Sequence, residues 1–344
     1  GTRMRSSTPK PLHRLAGRPM VAHLIEACAD AGFARAVVVA GPEPSFAPMR
    51  GVVDPHPCVV QHDRLGTAHA TLAAAEALGA ARGEAMVLYG DVPLVRPATM
   101  QALAARRRET GAGLALLAFR PADPAQYGRV ILGADGFVTR IVEWRDADTA
   151  ERAVGLCNAG LFCAPAADLL RWLRQVGNAN AKGEYYLTDI VAIAREEGAR
   201  VTHAEAPDDE MLGINSRAEL AAAEAIIQQR LRAAAMDGGA TLIAPESVFL
   251  SWDTRLGADV TVHPNVVFGP GVTVEDGAEI RAFSHLEACR VGARAVIGPF
   301  ARLRPGAEVG AGAHVGNFVE LKNASLGEGA KANHLTYIGD ADIG

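Results

Sequence analysis

The sequence predicts two domains of different class, an α/β domain with a mostly parallel sheet and a parallel β-helix, joined by a single helical arm. Two observations carry this. Residues 1 to about 214 alternate short apolar runs with patterns of helical period, and from Leu256 onward an apolar residue recurs at every sixth position. At 344 residues the chain is long enough for two domains, each with its own core. Hydrophobic residues make up 49% of the chain and aromatics only 5%, so both cores are expected to be built from Ala, Val, Leu and Ile.

In the first part, strands are expected over residues 36–40, 58–61, 85–89 and 113–119, with helices over 21–31, 68–78 and 98–109 between them. Such alternation argues for a Rossmann-like sheet covered on both faces, with ligands beyond the carboxyl ends of the strands. Residues 216–236 then read as one helix. Ser216 is placed to N-cap it with Glu219 at the capping-box position, and Gly238-Gly239 follows its end.

The second part has markers Leu256, Val262, Phe268, Val274, Ile280 and Leu286. After a five-residue step these are followed by Val291, Ile297, Leu303, Val309, Val315 and Leu321, and after a second such step by Leu326, Ala332 and Ile338. A small or β-branched residue stands four places after nearly every marker, among them Val260, Val266, Val272, Ala278, Ser284, Ala295, Ala301, Ala307, Ala313 and Val319. A helix cannot sustain a period of six. Three hexads make one triangular coil of a parallel β-helix with the markers stacked inside.

Composition excludes several function classes. A net charge of -5 leaves no electrostatic footprint for nucleic acid. Arg106-Arg107-Arg108 reads as a solvated helix face, and no apolar run reaches the ~20 residues of a membrane span. The cysteines (Cys28, Cys58, Cys157, Cys163 and Cys289) are scattered, with no C-x-x-C pair. They read as core residues in a reducing cytoplasm. No signal-peptide pattern is visible.

Chemistry-bearing residues cluster in short motifs. The chain opens Gly1-Thr2-Arg3-Met4 and continues to Pro9-Lys10-Pro11, a glycine turn with an arginine and a lysine seven residues apart. Backbone N–H groups and paired cations of this kind suit the phosphates of a nucleotide. In Leu88-Tyr89-Gly90-Asp91-Val92-Pro93-Leu94 a carboxylate stands just past a buried strand, where it can hold Mg²⁺ against phosphate oxygens; it lies too far upstream to cap the helix after Pro97. Asn215 is either a second Mg²⁺ ligand or a helix cap. Gln61 can read a base edge and Gly66 admits a close ligand, while Thr67 is either a third contact or a plain N-cap. Glu143, Asn158 and the run from Gly183 to Asp189 are polar residues beside strand patterns, suited to sugar hydroxyls. In the hexad array Arg304, Lys322, His334 and Tyr337 are unusual polar residues. His334 is either structural or a base for an amine attacking a thioester, with Arg304 and Lys322 gripping a phosphate.

The opening motif resembles the signature of sugar-1-phosphate nucleotidyltransferases, whose fuller form begins with a buried strand and further glycines. The chain is therefore expected to start inside that signature. Both halves together resemble the bacterial bifunctional N-acetylglucosamine-1-phosphate uridyltransferase/glucosamine-1-phosphate acetyltransferase family. The resemblance lies in Gly1–Met4 with Pro9-Lys10-Pro11-Leu12-His13, in 88–94, 180–189 (Asn-Ala-Lys-Gly-Glu-Tyr-Tyr-Leu-Thr-Asp), 298–306, 314–321 and 334–340. It implies an α/β nucleotidyltransferase domain over 1–214, a linker helix over 215–239, and a left-handed parallel β-helix of hexapeptide repeats over 240–344.

The first domain would transfer uridylyl from UTP to N-acetylglucosamine-1-phosphate. Lys10 and Arg3 would act on the phosphates, Gln61, Gly66, Thr67, Tyr89 and Gly90 on the nucleotide, Gly128, Glu143 and Asn158 on the sugar, and Asp91 and Asn215 on Mg²⁺. The β-helix would acetylate glucosamine-1-phosphate from acetyl-CoA with His334 as general base and Arg304, Lys322 and Tyr337 on the substrate. The resemblance further implies a homotrimer, a cytoplasmic enzyme feeding peptidoglycan and lipopolysaccharide precursors, and an acetyl-CoA site lying mostly past Gly344, so that a chain ending there is expected not to acetylate. A glucose-1-phosphate adenylyltransferase with a regulatory β-helix is the nearer rival, opposed by the motifs at 316–322 and 334–340. A non-catalytic assembly subunit is the further one; it has no use for Lys10, Asp91, Asn215 and His334 together.

Overall fold

The computed structural model describes residues 4–78, 83–124, 127–180 and 182–344. The chain divides into two compact units, Gly1–His13 with Pro19–Glu219, and Arg14–Arg18 with Leu220–Gly344.

In the first unit, helices α1 (Met20–Asp30), α2 (Phe46–Val53), α3 (Thr67–Ala73), α4 (Ala75–Leu78) and α5 (Pro97–Thr110) alternate with strands β1 (Val38–Ala40), β2 (Cys58–Val60), β3 (Glu84–Val87) and β4 (Leu114–Phe119). These follow the expected elements, except that α2 was not foreseen and the helix over 68–78 is broken at Ala74. Helix α5 takes Pro97 in its first turn and ends at Gly111, whose φ of +59° is the left-handed cap that glycine adopts without a Cβ penalty. All six residues of β4 are buried, which requires both sheet faces to be covered.

Parallel pairing occurs between β1 and β2 and between β4 and β8 (Val201–Glu205). The larger sheet also contains β5 (Arg129–Leu132), β6 (Val138–Val142) and β7 (Cys157–Pro165), in the order β8-β4-β7-β5-β6 with β3 added to β7. Strand β7 runs antiparallel to β3, β4 and β5, and β5 is antiparallel to β6. The helix–strand alternation did not predict these pairs. For β5–β6 the cause is local: Gly136, at φ +78°, closes a tight hairpin, and a short connection permits only antiparallel pairing. Helix α6 (Ala166–Leu173) packs Leu169, Trp172 and Leu173 into the same core as α7 (Ile190–Glu196).

The basic run departs from its expected role at one residue. Arg106 and Arg108 are exposed, but Arg107 is largely covered and sits 2.7 Å from the Glu84 carboxylate, with its Nη1 donating to the Ala112 carbonyl at 3.0 Å.

The helix α8 (Arg217–Asp237) is capped as predicted, with one shift. Ser216 Oγ accepts from the Glu219 N–H (3.2 Å), and the Glu219 carboxylate accepts from the N–H of Asn215 (2.7 Å), one residue before the cap.

The second unit is the β-helix. Two-residue strands stack in parallel: Thr261 opposes Glu279, Glu279 opposes Val296 and Val296 opposes His314. Steps of 18, 17 and 18 residues (279 − 261, 296 − 279, 314 − 296) are three hexads per coil, with the five-residue step absorbed in one of them. Every marker from Val262 to Leu326 is at most 4% exposed, and so are Val266, Val272, Ala278, Ser284, Ala295, Ala301, Ala307, Ala313 and Val319 four places on. Each buried Val, Leu, Ile or Phe marker contributes about 1.5–3 kcal/mol of burial, which the next coil repeats.

Corners of the prism carry a second period that the hydrophobic pattern does not show. A positive φ recurs every five or six residues, at Asp259, Asn265, Gly271, Gly277, Phe283, Ala288, Arg294, Phe300, Gly306, Gly312, Phe318, Asn323, Gly329, Leu335 and Asp340. One corner holds a column of large apolar residues: the rings of Phe283, Phe300 and Phe318 stack at 5.0 and 5.2 Å, all near half exposed, and Leu335 follows. The glycine directly after a marker answers to a different constraint: a Cβ on Gly316 would lie 1.7 Å from the Asn333 carbonyl oxygen of the next coil.

Residues 14–18 belong to this unit by their contacts. The Ala16 carbonyl accepts from the N–H of Trp252 and from Ser251 Oγ, its N–H donates to Glu224, and the Arg18 guanidinium lies 4.0 Å over the Trp252 ring.

Candidate functional site

Three residues far apart in sequence meet in the first unit. Lys10 starts a 3₁₀ turn after Pro9, Asp91 follows the Tyr89-Gly90 turn beyond β3, and Asn215 precedes the capped end of α8. Lys10 Nζ donates to Asp91 Oδ2 at 2.6 Å and to Asn215 Oδ1 at 3.0 Å. The backbone supports the arrangement, since the Ile214 N–H donates to the Asp91 carbonyl at 2.8 Å. Because Ser216 caps the helix, Asn215 keeps its side-chain oxygen for this centre. Gly90 packs against Pro11, with a Cβ position 3.5 Å from the ring. His13 Nδ1 lies 3.3 Å from Arg217 Nη1 and joins the same two segments; burial, then Arg217, holds its pKa below the ordinary histidine value, against the pull of the Thr8 backbone. Gly1, Thr2 and Arg3 lie outside the described residues.

Two oxygens that share one ammonium are a cation site of hard donors, the kind that suits Mg²⁺. Asp91 and Asn215 therefore fit the metal the sequence implied. Among the described residues no group of three or more His, Cys, Asp and Glu could hold a metal.

Gln61, Gly66 and Thr67 form a second cluster. The Gln61 N–H extends the β1–β2 pairing by donating to the Ala40 carbonyl. Gly66 has φ +121°, and a Cβ there would come within 2.4 Å of the Tyr185 carbonyl oxygen, so glycine is required on both counts. The Thr67 hydroxyl accepts from the Leu187 N–H at 2.9 Å, and the N-cap of α3 is Gly66 rather than Thr67. Thr67 thus ties α3 to the 185–187 strand of chain.

Tyr89 and the sugar-side candidates form the third. Burial pushes the Tyr89 hydroxyl up to about 12, with Thr67 pulling it down by a hydrogen bond and Glu143 and Asp91 adding to the rise. Its ring occupies the place of a missing side chain: a Cβ on Gly160 would lie 2.3 Å from Tyr89 Cε2. Asn158 Oδ1 accepts from the Gly160 N–H, and the Asn158 N–H donates to the Gly128 carbonyl. A Cβ on Gly128 would stand 3.6 Å from both Glu143 carboxylate oxygens. Glu143 then opens into a cavity of about 350 Å³ with Asp146, Asn180, Tyr186, Thr188 and Asp189 on its walls. Burial raises the pKa of Glu143, opposed by Lys182 and reinforced by Asp146 and Asp189; burial raises Asp189 as well. Such carboxyls hold hydroxyl-bearing ligands at small cost in charge repulsion.

Sequence reasoning missed Gly160, whose role depends on a ring from another strand and leaves no local signal. It also passed over His69, although Gly-Thr-Ala-His continues the motif it had singled out.

On the β-helix the candidates are spread over one open surface. Arg304 Nη1 is 3.0 Å from Glu320, and Lys322 Nζ is 3.8 Å from Asp340. His334 opposes Asn317 across the coils and Tyr337 opposes Glu320, and both are exposed. The Thr336 hydroxyl donates to the His334 carbonyl. Nothing within the described chain covers the imidazole.

Comparison with known proteins adds two domain matches. Residues 1–160 match the MobA-like NTP transferase domain, and 253–288 and 288–323 match the bacterial transferase hexapeptide (six repeats). The chain is 62% identical over 344 residues to the bifunctional protein GlmU of Acidiphilium cryptum, covering 100% of this chain and 77% of the relative. It is 60% identical over 348 residues to the bifunctional protein GlmU of Gluconacetobacter diazotrophicus (100% and 74%) and 49% over 346 residues to that of a Jannaschia species (100% and 76%).

Proposed function

Because the chain belongs to the bifunctional GlmU family, we propose that it catalyses two steps toward UDP-N-acetylglucosamine. Residues 240–344 contribute Arg304, Lys322, His334 and Tyr337 to acetyl transfer from acetyl-CoA to the amine of glucosamine-1-phosphate. Residues 1–214 carry uridylyl transfer from UTP to N-acetylglucosamine-1-phosphate with release of pyrophosphate, and 215–239 form the linker that contains helix α8. The observation that carries the reading is the bonding of Lys10 Nζ to both Asp91 and Asn215.

In uridylyl transfer the sugar phosphate oxygen attacks the α-phosphorus of UTP in line, and the bond to pyrophosphate breaks. Asp91 and Asn215 would hold Mg²⁺, which when bound neutralises phosphate charge. Lys10 and Arg3 offset charge on the same phosphates. Gln61, Gly66, Thr67, Tyr89 and Gly90 place the nucleotide, and Gly128, Glu143 and Asn158 the sugar. Positioning and fixed charge supply the acceleration, with no covalent intermediate. In acetyl transfer His334 takes the proton of the amine as its nitrogen bonds the acetyl carbon and the thiolate leaves, while Arg304, Lys322 and Tyr337 hold the substrate.

The same reading makes the protein a cytoplasmic homotrimer assembled through the β-helix. Support comes from the exposed Phe283–Phe300–Phe318 column, an apolar ridge that a second copy would cover, and from the uncovered His334. No described helix is long and apolar enough to cross a membrane.

Calorimetric titration of UTP with and without Mg²⁺ tests the carrying observation. Binding should require Mg²⁺ and vanish in Asp91→Ala; UTP binding of unchanged strength in that variant would overturn the assignment.

A further inference from the structure

Gln61 Nε2 donates to the Gly66 carbonyl oxygen at 3.1 Å and lies 3.1 Å from His69 Nδ1. A carbonyl oxygen only accepts, so the amide must present its NH₂ there, and its orientation follows from the backbone of the residue it touches. The second amide proton then faces His69 Nδ1, which accepts it. An imidazole that accepts at Nδ1 carries its proton on Nε2. Both donors of Gln61 are consumed, and among the described residues Oε1 has no hydrogen-bond partner.

We infer that His69 is a positioning residue for base selection: by holding the Gln61 amide nitrogen inward it leaves the amide oxygen as the only group offered to a nucleotide base. The inference rests on the reading of Gln61 as a base contact. An oxygen offered alone accepts from a base whose ring nitrogen carries a proton, as in uracil, and opposes the lone pair of the unprotonated ring nitrogen of cytosine. An unfilled or mismatched polar contact in a buried site discriminates strongly. His69 touches no base itself; its ring lies on α3, centred 6.3 Å from that of Tyr185. Without it, one of the two partners that fix the amide is gone, and the NH₂ can rotate outward to meet cytosine.

The test is pyrophosphate release with N-acetylglucosamine-1-phosphate, read as the ratio of kcat/KM for UTP to that for CTP. In His69→Phe, which keeps a ring beside Tyr185, the ratio should fall by about tenfold or more. In His69→Asn, whose side-chain oxygen falls near the position of Nδ1, most of the ratio should return. In a Gln61→Ala background His69→Phe should leave the ratio unchanged, because the pair acts as a unit. Equal losses with UTP and CTP in His69→Phe would show a contribution to loop structure only and overturn the inference. So would an equal ratio change in the Gln61→Ala background. A wild-type protein that releases no pyrophosphate from UTP would instead remove the proposed function, and this inference with it.

Discussion

The two units build their candidate sites in opposite ways. In the α/β unit the site is closed by the chain itself. Lys10, Asp91 and Asn215 arrive from three separate segments, the Tyr89 ring fills the space above Gly160, and burial shifts Tyr89, Glu143 and Asp189. In the β-helix the candidates Arg304, Lys322, His334 and Tyr337 stand on coils 17 or 18 residues apart and open to solvent, with Tyr337 60% exposed. A fold made of loops between strands can wrap a ligand. A prism of stacked coils can present only a flat row of side chains, so its site needs a second surface. On the proposed function, the difference teaches that the uridylyl-transfer candidates would need only one protomer, whereas the acetyl-transfer candidates would need a second surface to complete their site.

Glycine substitutions break this comparison most sharply. Gly316→Ala would drive a Cβ into the next coil's carbonyl at 1.7 Å, with no flexible side chain to yield. The expected cost is about 3 kcal/mol or more, seen as loss of the β-helix transition in calorimetry while UTP binding persists. A β-helix melting as in wild type would show that the coils can separate at that point. The complementary change in the other unit, Gly66→Ala, combines a disfavoured φ of +121° with a backbone contact at 2.4 Å. It should raise KM for UTP by at least about tenfold, at about 1–3 kcal/mol of strain, and leave the β-helix transition in place.

The apolar corner offers a smaller effect. Phe300→Ser removes the middle ring of the stacked column, and if a second copy covers the ridge the protomer–trimer equilibrium should weaken by roughly tenfold in sedimentation, since an aromatic pair contributes ~0.5–1.5 kcal/mol beyond its area. Unchanged association would leave the ridge without a role in assembly.

Smallest is the effect of Glu143→Gln on stability. A carboxyl whose folded pKa is raised binds its proton more tightly folded than unfolded, so its ionisation opposes folding. Stability is lost as pH rises from the ordinary carboxylate range through the raised value. The variant should therefore melt slightly higher than wild type at pH 7, lose that gain below the ordinary carboxylate range, and bind the sugar phosphate several-fold more weakly. A lower melting temperature at pH 7 would mean the charged form is stabilised in the fold.

How much was legible in sequence also differs between the units. The β-helix was readable almost residue by residue: Val262 to Leu326 are buried where the hexad places them, because a three-hexad coil returns to its own register whatever the side chains. Its corners were not, since Phe283, Phe300 and Phe318 at positive φ break the preference that sequence reading relies on. In the α/β unit the motifs around Lys10, Asp91 and Asn215 were visible singly, and the bonds of Lys10 to the other two became visible only in the fold. The antiparallel course of β7 was hidden for another reason. Cys157-Asn158-Ala159-Gly160-Leu161-Phe162-Cys163 is apolar on both faces, as a buried parallel strand would be, so its pattern carries no direction.

The central claim is that two chemistries reside in two separate sets of residues, and a crossed assay on the protein from the whole gene tests it most directly. Pyrophosphate release from UTP and N-acetylglucosamine-1-phosphate, and acetyl transfer from acetyl-CoA to glucosamine-1-phosphate, are each measured in wild type, Asp91→Ala and His334→Ala. Asp91→Ala should lose pyrophosphate release by about a thousandfold while keeping acetyl transfer, and His334→Ala the reverse, losing acetyl transfer by about 10²–10⁴-fold as expected for a general base. Pyrophosphate release at wild-type rate in Asp91→Ala, or acetyl transfer at wild-type rate in His334→Ala, would contradict it.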